Sequence, residues 1–433
     1  MADLIFVCAP DIAGKLRGKA FPSDQLELRL TRGVGWTPTN VQITCFNVIA
    51  ESPFGALGDL LLIPDGGTVV EAVFGDRTER FMLGDIVTLD GAPWDLCTRA
   101  ILRSALDRLE QVGGVRLLAA FEHEFQIKGS PAVAGEAYGR AGFEAQRDLC
   151  ETLVDQLTAA GLSADSIMKE YGPNQYEVVI GPEDGQRAAD AAVIVRELTR
   201  STARHLGDVA TFAPILDPAS VGNGAHIHMS FLDETGAPVA HDPNRPHGMS
   251  QLTGAFCAGV LKYLDSILAL TAPSVVSYLR LTPNRWSAAY NNLGLNDREA
   301  ALRLCPVTPL DPASLSRQFN IEFRAGDAAA CPHLALAAIV HAGCAGIEEG
   351  LAAPDPTEEN LSHASAQSLK DRGFVRLPTS FDDALDRFAA NDTVKSWFPD
   401  PFAGVYVAHK KAEIAHVADM DPRAQCDAYA ETY

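Results

Sequence analysis

Leu117-Leu118-Ala119-Ala120-Phe121-Glu122-His123-Glu124-Phe125 sets two carboxylates and an imidazole into an otherwise apolar run. The run has the length and composition of a buried strand. On a strand alternate side chains share a face, so Glu122 and Glu124 point the same way. Carboxylates in such surroundings are costly unless paired or bound to a cation. Three further pairs follow along the chain: Glu170 with Glu177, His226-Ile227-His228, and Glu322-Phe323-Arg324. The last two repeat the i, i+2 spacing. Taken singly, an E-x-E on a strand is most often a solvated face, and an H-x-H a satisfied pair of histidines. Taken together, Glu122, Glu124, Glu170, Glu177, His226 and Glu322 read as strands converging on divalent metal ions. Carboxylate oxygens with one imidazole suit Mg²⁺ or Mn²⁺ better than a structural zinc, which favours Cys and His.

Outward from that stretch, the chain has 433 residues, enough for a large core and two domains. Its net charge of −21 argues against nucleic acid or an anionic membrane as partner. The nine cysteines are scattered, with no C-x-x-C spacing. They read as buried thiols of a reducing cytoplasm rather than disulfides or a zinc site. The first residues, MADLIFVCAPDIAGK, lack a basic n-region and a full apolar h-region, so a first strand is expected there and not a signal peptide. No stretch reaches the roughly 18 uninterrupted apolar residues of a membrane span. The longest candidate, 266–279, is broken by Pro273.

Up to about residue 90 the pattern is short β segments and Gly/Pro turns, with strands expected over 3–9, 25–30, 41–48, 59–63 and 68–73. Pro93 and Trp94 then open a helix over 95–112, with Leu96, Ile101, Leu102, Leu106 and Leu109 at helical spacing. Further helices are expected over 142–160, 188–205, 249–271, 332–350, 381–390 and 402–416, with strands carrying the charged pairs between them. The fold class is therefore α+β. A small N-terminal domain (1–93) precedes a large one (94–433) in which helices surround a mainly antiparallel sheet.

Seven anchors, in order, resemble the glutamine synthetase family over nearly the whole chain. They are Phe121-Glu122-His123-Glu124-Phe125; Glu170 to Gln175 and Glu177; and Gly224-Ala225-His226-Ile227-His228-Met229-Ser230. Next come Ser277-Tyr278-Leu279-Arg280-Leu281-Thr282-Pro283, and Asp297-Arg298 with Ala300 and Arg303. Glu322-Phe323-Arg324, then Asp327 with Pro332, complete the set. Leu16-Arg17-Gly18-Lys19 and Gly58-Asp59-Leu60 are similar to parts of the family's small β-grasp domain.

The resemblance implies roles. Glu124, Glu170 and Glu177 would hold one metal beside the acceptor carboxylate; Glu122, His226 and Glu322 a second beside the ATP phosphates. Arg280 and Arg324 would grip glutamate, and Arg298 would face the transferring phosphoryl group. Arg303, His228 and Ser230 would sit by the nucleotide. The implied reaction phosphorylates the γ-carboxylate of glutamate with ATP, and an amine then displaces phosphate. Metals and fork-shaped guanidiniums neutralise the two anions that must meet. The resemblance also implies a homo-oligomer, a dodecamer of two stacked hexameric rings with sites shared between subunits.

Departures from the family pattern concentrate at the amine end. Where ammonium-using members carry a flap glutamate, six residues after Arg280, this chain has Trp286. Asn47 is the residue nearest the family's N-terminal ammonium-site aspartate, Val221 replaces the asparagine of a glycine loop, and Asn320 stands where many members have an arginine. Primary amines have pKa values near about 10, so ammonium and simple alkylamines arrive charged and need a carboxylate. An arylamine is neutral and does not. Trp286 offers a surface for stacking or for cation–π attraction to an organic cation; the alternative is that it packs the flap. Three functions stand: a γ-glutamyl ligase acting on an organic amine, as in members that serve amine catabolism; a glutamine synthetase with an ammonium site rebuilt from Glu299 or Asp297; and a silent member acting as a scaffold. The loops 129–139 and 233–247 are expected to shape the amine pocket.

Overall fold

The computed structural model describes residues 3–433; Met1 and Ala2, the start of the unit expected over 1–93, lie outside the described residues. Two sheets organise the chain. The N-terminal sheet has six strands, ordered Leu16–Pro22, Leu4–Pro10, Arg77–Val87, Leu60–Pro64, Val34–Trp36, with Val70–Phe74 also on Arg77–Val87. Alternation builds it: Val70, Ala72 and Phe74 are buried while Glu71 and Val73 are exposed.

Two expected strands here take other forms. Residues 25–30 begin the helix Leu26–Arg32. The leucines at 26, 28 and 30 mimic a strand's alternation, yet Leu26 and Leu30 pack one turn apart against the core and Leu28 is exposed. Residues 41–48 follow a 3₁₀ turn, Pro38–Gln42, with a loop rather than a strand. Arg17 Nη2 holds that loop through Ile43 O and Thr44 O at 3.1 Å, and Glu413 Oε1 accepts Cys45 N. Asn47 sits at its tip with φ of 59°.

The second sheet has nine strands and is antiparallel except where Tyr290–Gly294 meets Ala300–Leu304. Its order is Tyr290–Gly294, Ala300–Leu304, Ile321–Phe323, Ala225–Leu232, Arg116–Lys128, Gln175–Ile180, Ala164–Lys169. The short strands Glu183–Asp184 and Val209–Thr211 also pair with Arg116–Lys128. That central strand buries Leu117, Phe121 and Phe125 on one face. His123 lies among them, its ring stacked on Phe121, and burial with Arg196 and Arg200 nearby holds it neutral. Glu122 and Glu124 look out of the opposite face.

Helices Thr98–Gly113, Gly185–His205, Gln251–Thr271 and Pro332–Glu348 back the sheet. The last two pack at backbone contact: a Cβ on Gly259 would meet Ala342 O at 2.2 Å, and one on Gly346 would meet Ala255 O at 2.1 Å. Only glycine permits that approach. The helix expected over 142–160 is two helices, Arg140–Ala145 and Arg147–Ala159, broken at Gln146. Among the described residues Gln251–Thr271 alone is long and apolar enough to cross a membrane, and 72% of its apolar window is buried in the protein. Lys262 and Asp265 interrupt it. All nine cysteines are free thiols, and all but Cys305 are buried.

Candidate active site

Strand register gathers the polar pairs. His226 stands opposite Glu122, Glu124 opposite Glu177, and His228 opposite Glu322, which in turn faces Arg303. Opposed residues in antiparallel strands share a face. Glu122, Glu124, Glu177, His226, His228, Glu322 and Arg303 therefore project from one side of the sheet. Glu170 is the exception: it follows the end of Ala164–Lys169 in a turn, where its carboxylate accepts Tyr171 N at 2.9 Å.

At the centre, His226 Nδ1 lies 3.4 Å from Glu122 and 3.6 Å from Glu322. His228, expected by the nucleotide, reaches the same carboxylates, with Nε2 2.9 Å from Glu122 Oε1 and 4.0 Å from Glu322 Oε1. Burial opposes ionisation of Glu122, but hydrogen bonds from His226 and His228 hold it below the usual carboxylate range. Burial likewise opposes ionisation of Glu322, while the Arg324 charge brings it down to about 2. Glu177 behaves oppositely. Burial, then the charges of Glu122, Glu124, Glu170 and Glu322, push it up to about 9. Burial and the charge of Glu124 also raise Glu170.

This donor set fits a divalent ion. Nε2 of His226 is buried with no hydrogen-bond partner. Donor atoms of Glu122, Glu177 and His226 lie within 4.8 Å of one another. The crowding that raises Glu177 is an excess of negative charge that a dication relieves. Geometry groups Glu177 with Glu122 and His226, across the two ligand sets expected from sequence. Glu124 is held apart, its Oε2 accepting Gly224 N at 2.9 Å and Gln175 Nε2 at 3.1 Å. Sequence reading missed Gln175 as a support for Glu124, although it sits two residues before Glu177. It also missed Cys305, 3.5 Å from His228 Nδ1 and grouped with His228 and Glu322 as a second donor set.

The arginines surround the carboxylates. Arg303 Nη1 lies 3.0 Å from Glu322 Oε2, and Arg324 Nη1 pairs with Glu322 Oε1. Arg324 Nε donates to Arg298 O at 2.8 Å, while the Arg298 residue is exposed. Arg280 is buried and donates to Gly326 O at 3.0 Å. Gly224 makes room for it: a Cβ there would stand 2.5 Å from Arg280 Nη2. Ser230 donates its hydroxyl to Phe319 O at 3.0 Å and is buried.

Trp286 is 49% exposed beside Arg324, whose Nη2 donates to its carbonyl at 3.4 Å, and its ring meets that of Tyr171 in a T shape at 5.0 Å and 80°. Neither proposed ammonium carboxylate is free. Glu299 accepts Asn284 N and Trp286 N, each at 3.0 Å. Asp297 accepts Glu299 N at 2.8 Å and Asn292 Nδ2 at 3.3 Å. Beside the flap a cleft of about 640 Å³ opens between Ala132, Val133, Tyr171, Val221, Asn284 and Arg285.

A mainly antiparallel sheet carries carboxylates, two histidines and an arginine on one face, with donor atoms close enough to share a divalent ion. The glutamine synthetase catalytic domain matches residues 95–429 and the glutamine synthetase N-terminal domain residues 1–94. The chain belongs to the glutamine synthetase family. It is 30% identical to a gamma-glutamylpolyamine synthetase of Streptomyces coelicolor, over 98% of this chain and 92% of that one. A glutamate–isopropylamine ligase of a Pseudomonas species is 28% identical, over 82% of this chain and 78% of its own length. Among solved structures, a novel glutamine synthase homolog superposes with TM-score 0.92 at 39% identity, covering 100% of this chain and 99% of that one.

Proposed function

We propose that this chain is an ATP-dependent γ-glutamyl ligase that phosphorylates the γ-carboxylate of glutamate and transfers the γ-glutamyl group to an organic amine, in amine catabolism. The observation that carries the reading is the contrast within one site. The sheet face brings Glu122, Glu124, Glu177, His226, His228, Glu322 and Arg303 together, whereas the flap carries an indole, and the nearby carboxylates Glu299 and Asp297 are bound to the backbone and Asn292. The relatives named for polyamine and isopropylamine support an organic acceptor; such amines arrive charged, and the indole would meet them by cation–π attraction in place of a carboxylate.

Residues Glu122, Glu177, His226 and Glu322, with Glu124 and Glu170 beside them, would hold Mg²⁺ or Mn²⁺. The ions would supply charge neutralisation for ATP and the acceptor carboxylate. Arg280 and Arg324 bind glutamate, and Arg303 and Arg298 attract the phosphate and phosphoryl oxygens. His228 stays near the nucleotide end, and Ser230 supports the strand beneath it. Once γ-glutamyl phosphate has formed, the amine nitrogen attacks its carbonyl carbon. The C–N bond forms, the C–O bond to phosphate breaks, and the nitrogen gives up a proton that the departing phosphate accepts. Trp286 and Tyr171 cover the acceptor side, and the apolar lining of the cleft at Ala132, Val133 and Val221 suits the organic substituent. Ring assembly as a dodecamer belongs to the same proposal.

Phosphate release from ATP and glutamate across a panel of amines tests it. Turnover with apolar, aromatic or polyamine acceptors, exceeding that with ammonium, is expected. Ammonium as best acceptor, or no turnover with any amine, overturns the reading.

A further inference from the structure

Asn284 and Trp286 both adopt left-handed φ, 62° and 52°. That region favours glycine and tolerates asparagine, but a bulky aromatic there needs an external cause. The cause stands behind the loop. Glu299 Oε2 accepts Asn284 N and Oε1 accepts Trp286 N, each at 3.0 Å. The amides of Asn284 and Trp286, two residues apart, thus both point at the same carboxylate. A carboxylate serves both, one oxygen to each amide.

Glu299 is itself fixed. Its backbone N donates to Asp297 Oδ1 at 2.8 Å, and the next residue begins the strand Ala300–Leu304. The flap has three further ties: Arg285 Nη1 to Ser220 O at 2.7 Å, Arg324 Nη2 to Trp286 O at 3.4 Å, and Asn360 Nδ2 to Asn284 Oδ1 at 3.5 Å. None of them fixes the two amides. The indole leaves this clamped backbone half exposed and meets the exposed ring of Tyr171, which directly follows Glu170.

We infer that Glu299 is a positioning residue for acceptor choice: its carboxylate, bound to the amides of Asn284 and Trp286, holds the flap so that the indole lines the amine end. This rests on the proposed use of an organic amine. It gives Glu299 a role opposite to an ammonium ligand, since both oxygens face backbone and not substrate. Charge and shape are both required. Glutamine keeps one acceptor oxygen but turns an NH₂ toward the second amide, and alanine removes both acceptors.

The experiment combines kinetics with a measurement that needs no substrate. Glu299→Ala is expected to raise the amine KM on the order of tenfold, as loss of charge-assisted hydrogen bonds allows, with KM for ATP and glutamate changing less than about twofold. Glu299→Gln should fall between. In a Trp286→Ala background, Glu299→Ala should add little, because the residue acts through the indole. Acrylamide quenching reports the flap directly. Trp36 and Trp94 are buried and Trp397 is half-buried; the difference between wild type and Trp286→Phe subtracts all three and isolates the Trp286 signal. That signal should rise in Glu299→Ala. Unchanged quenching, equal changes in all three KM values, or full additivity with Trp286→Ala overturns the inference. Preference of the wild-type enzyme for ammonium overturns the amine reading instead, while the quenching result still decides whether Glu299 holds Trp286.

Discussion

Truncating Trp286 to alanine separates an acceptor-site indole from a packing residue. In the free protein the side chain contacts Tyr171 on one side and is 49% exposed. Removing it should therefore disturb folding little, by less than about 1 kcal/mol, as for surface substitutions. A bound amine would cover part of the open half. Covering roughly 40 Å² of indole corresponds to about 1 kcal/mol at about 25 cal/mol per Å². Aromatic contact geometry adds about 0.5–1.5 kcal/mol when the amine carries a ring. The sum, about 1.5–2.5 kcal/mol, converts to roughly 10- to 70-fold in KM for an aromatic amine and about 5-fold for an aliphatic one. Steady-state kinetics with each substrate varied in turn measures this. KM for ATP and glutamate should stay near wild type, because arginines and the carboxylate face bind them. Trp286→Glu should move preference toward ammonium. Equal changes in all three KM values would refute the reasoning and mark Trp286 as a flap-packing residue.

Glu124→Ala and Glu322→Ala should each abolish turnover, and EDTA should do the same with Mg²⁺ or Mn²⁺ restoring activity; unchanged rates in both variants remove the metal assignment. The raised Glu177 carboxyl, about 9 against an ordinary 4.5, makes the metal-free fold bind a proton that the unfolded chain has lost. The sign follows: stability contributed by this group is complete below about pH 4.5 and declines as pH rises toward 9, by at most about 1.4 kcal/mol per pH unit. Melting temperatures of EDTA-treated protein should fall between pH 6 and 8.5, and Glu177→Gln should flatten that slope; a flat slope in the wild type sinks the account of the charge excess. Light scattering should show a closed oligomer, and a fully active monomer would end the idea of sites shared between subunits.

The strands that build the site were legible because period-two spacing survives in the residues themselves. Glu122 with Glu124 and His226 with His228 could be placed on one face without coordinates. Register was not legible, and register decides that His226 meets Glu122 while Glu177 opposes Glu124. Cys305 gave no signal, because its proximity to His228 arises from strands that are neighbours only through Ile321–Phe323. The misread segment at 25–30 shows the limit of periodicity in a short run: three alternating leucines satisfy both a strand and, through Leu26 and Leu30, a two-turn helix.

Glu299 is the harder case, and it bears on which amine the site would take. From sequence it was a spare carboxylate near the flap, and a spare carboxylate is what a rebuilt ammonium site needs. Its partners are backbone amides, which leave no trace in residue identity, so only φ values and hydrogen bonds reveal its use. Freeing Glu299 for ammonium would unlatch the amides of Asn284 and Trp286, which its two oxygens hold. The two roles therefore exclude each other in this geometry. Holding the flap around an indole supports a larger, organic acceptor.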